Sequence, residues 1–190
     1  MSPRSIEKNE QIRQLKRKQI MNAALELFAI QGFHTTSIND IAEKAGISKG
    51  LMYNYFESKD ELLSTIMETG FDKLLQWFDP NHDGVLTRDE LILYLNEILR
   101  MMFEDPYYWK LYYSIILNPQ TNPNVMIRIM EKSESFFKIL ADYFERKGSK
   151  NSFVEARFFI AMLDGVYVNA LYEKEFPIKE SLRIIIDKFV

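Results

Sequence analysis

Apolar residues in this chain recur at helical spacing between regularly placed caps and breakers, a pattern that leaves no room for a sheet. From Ile20 they fall at Ile20, Ala23, Ala24, Leu27 and Phe28. That is the i, i+3, i+4, i+7, i+8 stripe of an amphipathic α-helix. Extended back through Ile12 and Leu15, the stripe predicts a first helix from about Asn9 to Gly32, a C-terminal cap. A short second helix follows Thr36 or Ser37, with Ile38, Ile41, Ala42 and Ala45 on one face, and stops at Gly46. A third runs from Ser48 to about Tyr55. Ser58 to Glu61, Thr87 to Glu90 and Ser152 to Glu155 each carry capping-box spacing, in which hydroxyl and carboxylate satisfy orphan N–H groups at a helix start. They open the fourth helix (to about Phe78), the fifth (to about Phe103) and the eighth (to about Glu173). Asp105-Pro106 opens the sixth, which breaks at Asn118-Pro119. Asn122-Pro123 opens the seventh, which ends at Gly148, and Pro177 opens the last. The expected fold is all-α with about nine helices.

The 190 residues suffice for a core without covalent staples, and the absence of cysteine excludes disulfides, thiolate metal sites and cysteine nucleophiles. No apolar run approaches the ~20 residues of a membrane-spanning helix. The polar, basic start, Met1 to Lys18, has no apolar signal segment, so a cytoplasmic protein is expected. The net charge of −3 is unevenly spread. Residues 1–60 hold 9 Lys/Arg and 7 Asp/Glu, whereas residues 61–190 hold 15 and 20. A basic head on an acidic body suits a polyanion at the head, although basic N-terminal segments are often merely solvated.

Two short helices joined by Ala45-Gly46-Ile47-Ser48 have the form of a helix-turn-helix, which on spacing alone could equally be a hairpin in any bundle. The residues say more. Gly32 followed by FHTTSINDIAEKAGISKGLMYNYFESKDELL (Phe33 to Leu63), with Ala24 to Phe28 upstream, resembles the DNA-binding domain of tetracycline-repressor-like (TetR-family) transcriptional regulators. The resemblance is contiguous over about residues 12–67. Beyond that it rests on helix count, length and Leu163-Asp164-Gly165. It implies a DNA-binding domain over 1–60 and a helical effector-binding and dimerisation domain over 61–190.

By that resemblance Thr36 meets phosphate at the start of the second helix, and Ser48, Lys49 and Gly50 form the tip of the recognition helix. Tyr53 reaches phosphate or a base edge, Asn54 occupies a place where the family often has histidine, and Lys59 contacts phosphate. Asn54 suits adenine by paired hydrogen bonds. Ile41, Ala42, Ile47, Leu51, Tyr55 and Phe56 are expected in the core, and His34 in a turn. A two-fold dimer would set two recognition helices roughly 34–36 Å apart on a palindromic operator. The resemblance implies a homodimeric, ligand-responsive regulator, most often a repressor. Its dimer surface would be the last two helices, where Val166, Val168, Leu171, Leu182, Ile185, Ile186 and Phe189 supply apolar area, or else simply fill the core. A small, mostly apolar effector is implied for the body, with Trp109, Tyr113, Phe137 and Met162 as its lining. The aromatic and Met residues there are also what plain core would use.

Residues 79–90, DPNHDGVLTRDE, match the calcium-loop pattern D-x-[DN]-x-[DN]-G-x5-E and lie between two helices. The segment resembles an EF-hand, whose Ca2+ would take Asp79, Asn81 and Asp83, the Val85 carbonyl, Thr87 through water and both oxygens of Glu90. Asp, Asn, Gly and Pro are also ordinary turn residues, and Thr87 with Glu90 already forms a capping box. A calcium-responsive helical interaction protein is therefore the alternative function. A single loop outside the best-matched region argues against it. No catalytic constellation is evident, the two histidines, His34 and His82, being far apart in sequence, so no enzyme is expected.

Overall fold

The computed structural model describes residues 3–118 and 122–190. Pro119, expected to break the sixth helix, lies outside them, as do the side chains of the first seven residues, Arg4 among them. The described residues form nine helices and no strand: α1 Pro3–Gln31, α2 Ile38–Lys44, α3 Lys49–Met52, α4 Lys59–Leu75, α5 Arg88–Glu104, α6 Pro106–Ile116, α7 Pro123–Arg146, α8 Ser152–Tyr172 and α9 Ile178–Phe189. The chain divides within α4 into two compact units, one up to Met67 and one of Glu68–Val190. No helix among the described residues is long and apolar enough to cross a membrane.

Some helix starts follow the expected capping chemistry and others depart from it. Thr87 and Glu90 exchange both bonds of the box at the start of α5. Ser58 caps α4 by accepting from the Glu61 N–H (3.0 Å), but the Glu61 carboxylate reaches past it to the N–H of Glu57 at 2.5 Å. At α8 the expected Ser152 cap is absent. Ser152 is already helical, and Asn151 at the cap position makes no side-chain cap bond. α1 starts at Pro3 rather than near Asn9, because its first polar residues carry no apolar stripe to announce them.

In the smaller unit Ile20, Ala24 and Phe28 of α1 meet Ile41 and Ala42 of α2, Met52 of α3 and Leu62 and Leu63 of α4 in the core. The Gln19 side-chain amide donates to the Ala45 carbonyl (2.9 Å), tying α1 to the end of α2. In the larger unit Leu91, Tyr94 and Leu95 of α5 share a core with Leu140 and Phe144 of α7 and Phe159 of α8. Phe136 of α7 lies 4.2 Å, ring to ring, from Phe78. At Gly70 of α4 the absence of a side chain is structural: a Cβ there would stand 1.9 Å from the Tyr108 ring of α6.

Candidate nucleic-acid interface and ligand cavity

The turn after α2 reverses the chain through Gly46, at φ +62°, the left-handed region glycine enters freely. The Ile47 N–H then donates to the Ala42 carbonyl at 3.0 Å. Ser48 caps α3, its Oγ accepting from the Leu51 N–H at 3.1 Å. α3 is four residues long and buries one of them, Met52. Ser48, Lys49, Gly50, Tyr53 and Asn54 are exposed together. Leu51, expected in the core, is 38% exposed. It sits about 100° round the helix from Met52, on the side that faces outward. Ile41, Ala42 and Phe56 are buried as expected, while Ile47 and Tyr55 are only half-buried.

Thr36 and Lys59 are held differently from their expected phosphate contacts. Thr36 is 1% exposed and its hydroxyl donates to the Gly32 carbonyl at 2.8 Å, so it braces the turn from inside. The Lys59 ammonium donates to the carbonyls of Phe33 (2.8 Å) and Thr36 (2.9 Å), with His34 at 3.5 Å, and lies over the Phe33 ring. Its three donors are thus spent on backbone more than twenty residues away. It staples α4 to the turn between α1 and α2, leaving no donor for a phosphate in this conformation.

In the larger unit α4 to α8 surround a cavity of about 260 Å3. Trp109, Tyr113 and Phe137 line it as expected. Met162 does not. It lies with Gly165, Val166 and Asn169 along an open groove toward α9, whereas Ile160, Leu163, Asp164 and Tyr167 face the cavity. The two stripes are set on different faces of one helix, and α8 is apolar on both, so its spacing does not announce which faces the cavity.

The cavity also holds polar groups that the apolar pattern did not flag. The Tyr113 hydroxyl donates to Oδ1 of Asp164 at 3.1 Å. Burial pushes the Asp164 carboxyl above its ordinary value, and the Tyr113 bond only partly offsets this. Burial likewise raises the Tyr113 and Tyr167 hydroxyls, both beside Asp164. The Tyr167 hydroxyl and the Trp109 indole N–H are buried without a hydrogen-bond partner. Arg157, exposed, stacks its guanidinium 3.9 Å from the Phe137 ring centroid.

The loop between α4 and α5 folds on its own side chains. Asp79 Oδ2 accepts from the Gly84 N–H (3.0 Å), Asn81 Oδ1 from Asp83 (3.1 Å) and Asp83 Oδ1 from Val85 (2.7 Å). Glu90 Oε2 accepts from both the N–H and the hydroxyl of Thr87, each at 2.8 Å. Leu86 is buried, and its carbonyl accepts from Arg146 at 2.6 Å. Among the described residues no three His, Cys, Asp or Glu side chains converge as a metal set.

Comparison with known proteins decides what these features belong to. Residues 20–66, from α1 into α4, match the family model described as bacterial regulatory proteins, tetR family. The HTH-type transcriptional regulator YfiR of Bacillus subtilis is 29% identical over 183 residues, 92% of this chain and 88% of that protein. The chain belongs to the tetR family. It is a DNA-binding transcriptional regulator. A second relative is the biofilm operon icaADBC HTH-type negative transcriptional regulator IcaR of Staphylococcus epidermidis, 24% identical over 85% of this chain and 88% of its own length. The fold agrees with a TetR-like regulator from Rhodococcus sp. RHA1, TM-score 0.75 at 21% identity, over 90% of this chain and 92% of that one. Regulators of this family bind DNA and act as dimers. Of the apolar residues expected at a dimer surface, Leu182 and Ile185 are buried within this chain. Val166, Val168, Leu171, Ile186 and Phe189 are half-buried, while Val154, Phe158 and Ile184 are exposed, with Ala161, Gly165 and Tyr172 on the same exposed stripe of α8 as Val154 and Phe158.

Proposed function

We propose that this regulator is a ligand-responsive homodimeric repressor, working in the cytoplasm on a palindromic operator. The observation that carries the DNA contact is the joint exposure of Ser48, Lys49, Gly50, Tyr53 and Asn54 around a helix anchored only by Met52. Ser48 and Lys49 suit phosphate. Gly50 presents bare backbone, since a Cβ there would meet nothing within 4 Å, and Tyr53 and Asn54 suit base edges. Repression is favoured by the likeness to IcaR, named a negative regulator. The exposed stripe of α8 and Ile184 of α9 supply the dimer face. The effector occupies the cavity lined by Trp109, Tyr113 and Asp164, binding one state of the dimer better than the other and so shifting operator affinity. Footprinting on an inverted repeat beside the gene, with sedimentation of the free protein, tests this. Protection of two half-sites one helical turn apart by a dimer is expected, and a monomer protecting no site overturns it.

A second reading concerns residues 79–90 and is favoured by Asp79 Oδ1, buried with no hydrogen-bond partner in a loop rich in oxygen ligands. Ca2+ would take Asp79, Asn81, Asp83, the Val85 carbonyl, Thr87 through water and Glu90. Glu90 would then exchange its cap bonds for the ion. Calorimetric titration of the chelator-treated protein should show heat, and none at millimolar Ca2+ discards the reading.

A further inference from the structure

The cavity's chemistry selects a sign of charge. Asp164 is the carboxylate among its lining residues, and among the described residues no Lys, Arg or His pairs with it. Its one hydrogen bond comes from a neutral phenol. Around it stand aromatic rings in mutual contact. Trp109 lies 6.1 Å from Tyr113, stacked, and 5.9 Å from Tyr167. Aromatic faces carry negative electrostatic potential and attract cations. An ionised carboxylate and a set of ring faces therefore act in the same direction. The guanidinium in the lining, Arg157, is exposed and held against Phe137, where water screens it. A neutral hydrocarbon filling this space would strip Asp164 of water and return nothing for it.

We propose that the cavity binds a lipophilic organic cation, its ammonium group paired with Asp164 beside Trp109, Tyr113 and Tyr167, and its apolar body against Leu163 and Phe136. This rests on the reading of the cavity as the effector site and gives that effector a chemical class. The volume, about 260 Å3, suits a compact amine with one ring or a short chain.

The test compares three probes of closely similar size by calorimetry on the full chain. They are benzyltrimethylammonium, its uncharged carbon isostere 2,2-dimethylpropylbenzene, and the anion 3-phenylpropanoate. The cation should bind at least tenfold more tightly than either of the others. D164N should weaken binding of the cation at least tenfold and, by removing the carboxylate's desolvation cost, should leave the hydrocarbon bound no more weakly than before. Circular dichroism would verify that D164N is folded, and the three-probe comparison on the unaltered chain stands without any variant. Equal or tighter binding of the hydrocarbon or the anion overturns the cationic class but leaves the cavity as a ligand site. Unchanged cation affinity in D164N overturns it in the same way. Binding of none of the three overturns both the class and the effector reading.

Discussion

Replacing Gly70 by alanine probes how tightly α6 is laid on α4. A Cβ at Gly70 would stand 1.9 Å from Tyr108 Cε2, 2.2 Å from Cζ and 2.6 Å from the hydroxyl oxygen. Carbon atoms in good contact sit about 3.5–4.0 Å apart, so the ring must retreat by roughly 1.5–2 Å. It has little room, being 4% exposed and flanked by Trp109 at 5.8 Å and Tyr112 at 6.2 Å. Overpacking of this kind costs about 1–3 kcal/mol, set against the gain of roughly 1 kcal/mol that Ala brings over Gly inside a helix. In the native background G70A should therefore be neutral to destabilising by about 2 kcal/mol. With the ring removed by Y108A, only the helix-propensity gain remains. G70A should then stabilise by about 1 kcal/mol. Urea unfolding of the four proteins, followed by circular dichroism at one protein concentration, measures this coupling. A G70A effect of the same sign and size in both backgrounds would refute the close-packing argument.

The smaller unit offers a test of Lys59. K59A leaves the Phe33 and Thr36 carbonyls without their donor and should destabilise by about 1–3 kcal/mol. The slope of log affinity for DNA against log salt should stay unchanged, whereas a lost phosphate contact would flatten it by about 0.9. G50A should leave melting within about 0.5 kcal/mol of the native chain, as its Cβ enters open space. It should nonetheless weaken operator binding in an anisotropy titration if backbone approaches DNA there. Asp164 gives a pH test. Its carboxyl, raised by burial, holds its proton more tightly in the folded chain. That contribution favours the fold at low pH and is lost as pH rises from the unfolded value, about 3.9, through the folded one. D164N should accordingly melt above the native protein at pH 7, with the gap closing toward pH 4 in a thermal series.

Helices were legible because caps and apolar stripes are local. The Thr87 and Glu90 box and the Gly46 turn are set by residues a few positions apart. What the sequence did not disclose depends on distance or on choice between equal faces. Lys59 reaches carbonyls 23 and 26 positions back, and no short-range pattern signals such a reach. In α3, one turn long, spacing could not choose Met52 over Leu51 as the anchor. In α8, apolar nearly all round, it could not tell the Met162 face from the Asp164 face. A signal for the latter was present: a lone carboxylate four residues after Ile160 and three before Tyr167, within an otherwise apolar stretch. An acidic residue at such a place, once buried, is expensive unless something answers its charge.

The exposed recognition helix is tested most directly by anisotropy titration of a duplex carrying the footprinted repeat with the native chain, K49A and Y53A. Each variant should bind at least tenfold more weakly while melting and sedimenting like the native dimer, since neither side chain is part of the core. Native affinity in both variants would contradict the account at its root.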